Sequence, residues 1–197
     1  MELIGYNNKQ MEAILKTDGP ILVIAGAGSG KTKVLTTKIA YLVDNGIPTD
    51  NILAITFTNK AAKEMKDRVI GLLGSVGYQL RISTFHSFGV FLIHEHYDLL
   101  GYKENFTILD SDDSLTLIKK IMKDLNINVK DYNPKAIRNS ISSSKNELIS
   151  AADFERFIGN DFDQKVFEVY QRYEKKLLLS NSLDFDDLLL DKFLSFI

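Results

Sequence analysis

The stretch Ile21-Leu22-Val23-Ile24-Ala25-Gly26-Ala27-Gly28-Ser29-Gly30-Lys31-Thr32 constrains this chain more than any other. An apolar run of β-branched and large residues suits a strand buried on both faces, and the small residues after it allow a sharp turn. Gly28 and Gly30 carry no Cβ, so the backbone can take positive φ and turn its N–H groups inward around an anion. Residues 32–43 have helical spacing, which places the loop at a helix N-terminus, where unpaired N–H groups and the helix dipole both favour phosphate. In that setting Lys31 reaches the β- and γ-phosphates of ATP, and the Thr32 hydroxyl ligates Mg2+. The strict pattern G-x-x-x-x-G-K-[ST] asks for glycine where this chain has Ala25. The competing reading is a Gly/Ala-rich turn that binds nothing.

A chain of 197 residues with 45% hydrophobic content can bury a real core, as one domain or two small ones. No apolar run approaches the roughly 18–20 residues that span a bilayer, and the opening Met1-Glu2-Leu3-Ile4-Gly5 lacks a basic region followed by a long apolar stretch. The expectation is a cytoplasmic protein with no membrane partner. The absence of cysteine excludes disulfides and Cys-ligated zinc, and His86, His94 and His96 are too few for a dedicated metal cage. The net charge of −2 does not suggest nucleic acid. Charge is unevenly spread, however: residues 1–100 carry 10 Lys/Arg against 9 Asp/Glu, leaving 14 against 17 for the remainder. Lys60, Lys63, Lys66 and Arg68 face only Glu64 and Asp67, a small positive spot.

Along the chain, Asn7 is placed to cap a first helix carrying Met11, Ile14 and Leu15, closed by Asp18-Gly19-Pro20. Strands are predicted at 21–25, 51–57 and 80–84, and helices at 32–45, from 59 to about 73, and at 85–99. This alternation predicts an α/β fold with a parallel sheet covered on both faces and ligands at the carboxyl ends of its strands. Beyond Gly101 the pattern turns helical. Residues 111–125 put Leu115, Ile118, Ile121 and Met122 on one stripe, Asn133-Pro134 reads as a cap and first helical position, and Ser150-Ala151-Ala152-Asp153 reads as a capping box. A further helix over 162–179 carries Val166, Phe167, Val169, Tyr170 and Tyr173 as core. Residues 181–190 read as another helix start, acidic near its N-terminus.

Four motifs, in order and spacing, resemble superfamily 1 DNA helicases of the UvrD/PcrA/Rep type. They are Ala25-Gly26-Ala27-Gly28-Ser29-Gly30-Lys31-Thr32, then Ile55-Thr56-Phe57-Thr58-Asn59-Lys60-Ala61-Ala62-Lys63-Glu64-Met65, then Thr84-Phe85-His86-Ser87, then Leu183-Asp184-Phe185-Asp186-Asp187-Leu188. Alanine is usual at position 25 in that family, and Tyr6-Asn7-x-x-Gln10 looks like its upstream glutamine motif, with Tyr6 in place of the more usual Leu. The resemblance implies a partial RecA-like P-loop domain over 1–100, an all-α inserted subdomain over 101–180, and a return to the first domain over 181–197.

It further implies that Gln10 reads the adenine edge and that Ala25, Gly26, Ala27, Gly28, Ser29, Gly30, Lys31 and Thr32 hold the triphosphate. Lys33 stands where relatives usually carry Arg, so its nucleotide contact is a point charge without a planar fork. Phe57, Thr58, Asn59 and Lys60 resemble a single-strand DNA contact: an aromatic at a strand end offers a π-face to a base, Thr58 and Asn59 suit phosphate or sugar, and Lys60 adds charge. Thr84 and His86 occupy the equivalent place after the next strand, with Phe85 read as core. Asp184, Asp186 and Asp187 are read as capping and surface residues, since the family's metal-ligating acidic pair lies further along. Ile108-Leu109-Asp110 imitates a strand ending on a metal-binding Asp and is assigned instead to the helical insert. The function implied is the ATP- and single-strand-binding part of an ATP-dependent 3′–5′ DNA helicase of repair or replication, acting on single strands and single/double-strand junctions. No apolar strand ending in Asp-Glu occurs here, and the second motor domain with its arginine fingers is absent, so little ATPase activity is expected of this chain. A recombination-type helicase–nuclease subunit and a nucleotide-binding module with no motor activity are the alternatives.

Overall fold

A computed structural model describes residues 3–189, and the chain divides into two compact units, Met1–Phe85 and His86–Ile197. In the first, helix α1 (Asn8–Leu15) opens with a full capping box: the Asn7 side chain accepts from the Gln10 N–H, and the Gln10 side chain accepts from the Asn7 N–H. Its buried Ala13 and Ile14 pack on Val34 of helix α2 (Lys31–Asp44), with Tyr6 and Tyr41 against them. Strand β1 (Leu53–Thr56), helix α3 (Asn59–Leu73) and strand β2 (Arg81–Thr84) make one βαβ unit. The helix supplies the crossover that a parallel pair needs. The two strands run in register from Leu53↔Arg81 to Thr56↔Thr84. Ile39 of α2, Ala54, Met65, Val69 and Leu80 close the core around them. The Thr58 hydroxyl caps α3 by accepting from the Ala61 N–H.

The strand predicted at 21–25 is not formed. Among the described residues β1 and β2 pair only with each other, and Leu22 and Ile24 are 85% and 90% exposed. Residue types set a preference for extended backbone, but a strand exists only where a neighbour takes its ladder hydrogen bonds. The sheet of this unit therefore has two strands rather than the wider covered sheet expected.

The second unit carries α4 (Phe85–His96, whose first residue belongs to the first unit), β3 (Thr107–Leu109), α5 (Ser111–Asp124), α6 (Pro134–Asn146), α7 (Asp161–Leu179) and β4 (Ser182–Asp184). Its main core joins Ile118, Ile121 and Met122 of α5, Ile137 and Ile141 of α6, and Val166, Val169, Tyr170, Tyr173 and Leu177 of α7. The α7 stripe is the one its periodicity predicted, with Phe167 half-buried at its margin. A smaller core sets Ile93 and Tyr102 against Leu183 and Leu188.

Three expectations are corrected here. Residues 107–109, in the stretch expected to be all helical, form a strand, because β3 finds a parallel partner in β4, Ile108 opposite Leu183. Residues 181–190 do not open an α-helix: they give β4 and then a 3-10 turn over Asp186–Leu189, with residue 190 outside the described residues. The Ser150 hydroxyl accepts the Asp153 N–H and donates to the Asp153 carboxylate, and a 3-10 turn at Asp153–Phe157 follows instead of a helix. Asp110 caps α5, accepting from the N–H groups of Asp112 and Asp113. Among the described residues, no helix is long and apolar enough to cross a membrane.

Candidate functional site

The loop of residues 25–30 is built as its glycines demand. Gly28 and Gly30 take φ of +73° and +82°, conformations closed to most side chains, and a Cβ on Gly30 would sit 3.3 Å from the Gln10 amide nitrogen. Gly30 is the N-cap of α2, and no side chain caps that helix. A fourteen-residue helix thus presents its first N–H groups and positive dipole end to the loop. The Lys31 ammonium folds back on the loop, 3.0 Å from the Ala25 carbonyl and 2.6 Å from that of Gly26. Thr32 and Lys33 are exposed on the first turn. The donor set is therefore backbone N–H, an ammonium and a hydroxyl, which suits a phosphate group and a divalent cation.

Gln10 ties this loop to α1. Its oxygen accepts from Asn7, and its amide nitrogen donates to the Ser29 carbonyl at 3.0 Å. Lys33 lies 4.3 Å from the centre of the Tyr6 ring and donates to the Gly5 carbonyl at 3.4 Å. The Tyr6 hydroxyl bonds Thr37, so the tyrosine at this unusual position braces α2, a role the sequence did not reveal. Lys38 donates to the Ala13 and Lys16 carbonyls at the end of α1, and burial pushes its pKa down. Between α1, the loop and α2 lies an open cleft of about 510 Å3, polar at Gln10, Lys31 and Lys38 and apolar at Ile21, Val23 and Ile24.

The second candidate surface is the carboxyl end of the two-stranded sheet. Because Thr56 pairs with Thr84, Phe57 and Phe85 leave neighbouring strand ends, and their ring centres are 5.8 Å apart at 51°. Phe57 is 88% exposed, which excludes it from the core. Phe85, expected in the core, is 43% exposed and packs against Phe57 as a second ring. Thr58, Asn59 and Lys60 are exposed beside Phe57, the Thr58 hydroxyl being used for the cap; Thr84 is buried. Lys66 turns from solvent to donate to the Tyr78 and Leu80 carbonyls, so the positive spot on α3 reduces to Lys60, Lys63 and Arg68. His86 stands in the second unit, on the first turn of α4, its ring 5.7 Å from that of Phe185 in an edge-on arrangement.

Of the three aspartates expected at the surface, two are not there. Asp184 and Asp187 are buried, and Lys145 from α6 reaches both at 2.9 Å and Glu174 at 2.7 Å. The ammonium donates hydrogen bonds to Asp184 and Asp187 and stands in ion-pair contact with Glu174. Burial alone would lower the Lys145 pKa, but Asp187, Glu174 and Asp184 hold it well above its ordinary value. Burial would likewise raise Asp184, and the Lys145 charge and hydrogen bond outweigh it, leaving that carboxyl below its usual range. The Tyr173 hydroxyl donates to Asp184 at 2.9 Å, and burial together with the Asp184 charge pushes the phenol well up. Among the described residues, no group of three or more His, Cys, Asp or Glu is arranged to hold a metal ion.

Together, the helices and short parallel sheets make this a mixed α/β protein in which a left-handed glycine loop with a lysine at its edge opens an uncapped helix. Residues 6–196 match the UvrD/REP helicase N-terminal domain, and the chain belongs to that family. It is 50% identical over 189 residues to the ATP-dependent DNA helicase PcrA of Bacillus subtilis (strain 168), a match covering 95% of this chain and 26% of that protein. It is 45% identical over 188 residues to the PcrA helicase of Leuconostoc citreum, covering 94% and 25%, and 45% identical over 185 residues to that of Staphylococcus aureus (strain Mu50 / ATCC 700699), covering 93% and 25%. The chain spans about a quarter of the length of these curated relatives.

Proposed function

We propose that this chain is the ATP- and single-strand-binding part of an ATP-dependent 3′–5′ DNA helicase of repair or replication, acting at single strands and their junctions with duplex. The observation that carries the reading is the loop at residues 25–32: left-handed Gly28 and Gly30 feed the uncapped N-terminus of α2, with Lys31 already at the loop's edge. Backbone N–H groups of the loop and first turn bind the triphosphate, and Lys31 exchanges the Ala25 and Gly26 carbonyls for phosphate oxygens. The Thr32 hydroxyl holds Mg2+, which supplies charge neutralisation to the phosphates when bound. Gln10 meets the adenine edge, and Lys33 adds a point charge. Residues 1–100 are the first part of a RecA-like domain, residues 101–180 its insert and 181–197 the return.

On the strand side, Phe57 offers a base its exposed face while Phe85 backs it, with Thr58, Asn59 and Lys60 beside it for sugar and phosphate. Thr84 in the first unit and His86 in the second are further strand contacts, each read within its own unit. No apolar strand ending in Asp-Glu occurs in the 197 residues, so this chain binds nucleotide without turning it over at a motor's rate.

The reading is tested by titrating a Mg2+-bound fluorescent ATP analogue and a fluorescein-labelled oligothymidylate against the chain. Lys31→Ala lowers nucleotide affinity at least about tenfold, the loss of one charge-assisted phosphate contact. Phe57→Ala weakens strand affinity by about 1–3 kcal/mol. Unchanged nucleotide affinity in the first variant refutes the phosphate-loop assignment, and unchanged strand affinity in the second refutes stacking on Phe57.

A further inference from the structure

Tyr6 lies along one face of α2 and is held there at both ends. Its hydroxyl bonds Thr37, which is 3% exposed, and its half-buried ring packs on the small core of Ala13, Ile14 and Val34. Lys33 is four residues before Thr37, one turn back on the same helix face, and its ammonium stands 4.3 Å from the centre of the Tyr6 ring. Gly5 completes the cradle. With φ of +79° it turns the chain just before Tyr6, and its carbonyl accepts from the same ammonium at 3.4 Å.

Nothing in the packing of α2 obliges Lys33 to lie this way, because its side chain is exposed. A free lysine stem samples many rotamers, and fixing its head for a ligand costs that freedom. Arginine meets the same demand with a planar fork that is already ordered, which an ammonium lacks. Position 6 supplies the missing order: the fixed ring face holds the cation, and the neighbouring carbonyl takes one of its three donors, so that donors remain for a ligand. A leucine at position 6 would have neither the ring face nor the hydroxyl that fixes it. The two places where this chain departs from the resemblance, Tyr6 for Leu and Lys33 for Arg, are thus in contact with each other.

We propose that Tyr6 is a positioning residue that holds the Lys33 ammonium ready for the nucleotide, giving a lysine the order that an arginine fork has by itself. The inference rests on residues 25–33 binding nucleotide. Tyr6 acts through Lys33: ordering the stem before the ligand arrives removes that cost from the binding step. Bracing α2 needs only the hydroxyl and the packed edge of the ring, whereas positioning needs its face.

The test is a double-variant cycle on the chain, with Mg2+-bound ATP titrated by calorimetry. Tyr6→Leu weakens affinity about two- to fivefold, the range of one exposed cation–π contact, and Lys33→Met weakens it at least as much. The combined variant is no weaker than Lys33→Met alone. Tyr6→Phe keeps the ring face and binds as wild type, and adding Lys33→Arg to Tyr6→Leu restores the affinity, because the fork needs no ring. In the NMR spectrum of the free chain, the Lys33 ε-methylene protons carry an upfield ring-current shift that Tyr6→Leu abolishes and Tyr6→Phe keeps. Losses that multiply in the combined variant overturn the proposal and leave Tyr6 a brace of α2 only. Tyr6→Leu binding as tightly as wild type overturns it as well. Lys33→Met without a loss, beside a loss on Lys31→Ala, overturns it and leaves the phosphate loop standing. No loss on Lys31→Ala removes the nucleotide-binding reading, and the proposal with it.

Discussion

Replacing Lys145 with methionine keeps the stem and deletes the charge at the centre of the second unit. The Lys145 side chain is 2% exposed, and those of Asp184 and Asp187 are 7% and 4%, so neither aspartate can regain water when the ammonium goes. Glu174 is 29% exposed as a whole, so the larger part of the penalty falls on the two aspartates. Breaking a buried pair by removing one partner costs about 3–5 kcal/mol. For a unit of this size that loss lowers Tm by roughly 12–20 °C. The pH dependence gives a second, sharper signature. In wild type the depressed Asp184 pKa contributes stability that is present above about pH 3.9 and lost as pH falls through the folded value. The raised Lys145 pKa contributes stability that is present below about pH 10.4 and lost as pH rises through its folded value. In Lys145→Met the orphaned carboxylates are pushed up by burial and mutual repulsion, so the variant gains stability as they protonate. The two stabilities therefore converge on acidification. Urea unfolding followed by circular dichroism between pH 8 and pH 4.5 measures this. A difference below about 1 kcal/mol at pH 7, or one constant across the range, would refute the assignment of an interlocked charge cluster.

Two further substitutions separate the local devices of the second unit. Gly89→Ala forces α4 away from the Leu188 carbonyl and lowers stability by more than about 2 kcal/mol in the same urea assay; an effect near zero would mean the close approach is not a fixed contact. Asn160→Ala removes the side chain that accepts the Asp163 N–H at the start of α7 and costs about 1 kcal/mol, read as a small Tm drop with strand affinity unchanged.

How much of this was legible in the residues depended on the range of the interaction. The caps at Asn7 and Asn133, the α7 stripe and the left-handed glycines are local, and short-range chemistry decides them. The glycine turn into α2 was legible for the same reason. What failed was non-local. Residues 21–25 have every strand preference and no ladder partner among the described residues, whereas 107–109 and 182–184 look unremarkable and pair with each other. Asp184 and Asp187 read as surface because their partner lies 39 and 42 positions away on α6, and no spacing rule connects them to Lys145. Phe85 was misread because an aromatic beside a strand suits a core and a stacking surface equally, and only its 43% exposure separates the two.

Ile21, Leu22, Val23 and Ile24 lie open to solvent in a row, uncharged and rich in β-branched side chains. An uncovered run of this kind is a template for backbone pairing between molecules, the chemistry of aggregation rather than of nucleotide binding. Pro20, which cannot donate to a ladder, and Gly26, which stiffens nothing, confine the hazard to five positions. The run that leads into the glycine loop is therefore also an aggregation-prone stretch of the first unit: its solubility depends on how soon another strand lies down beside it.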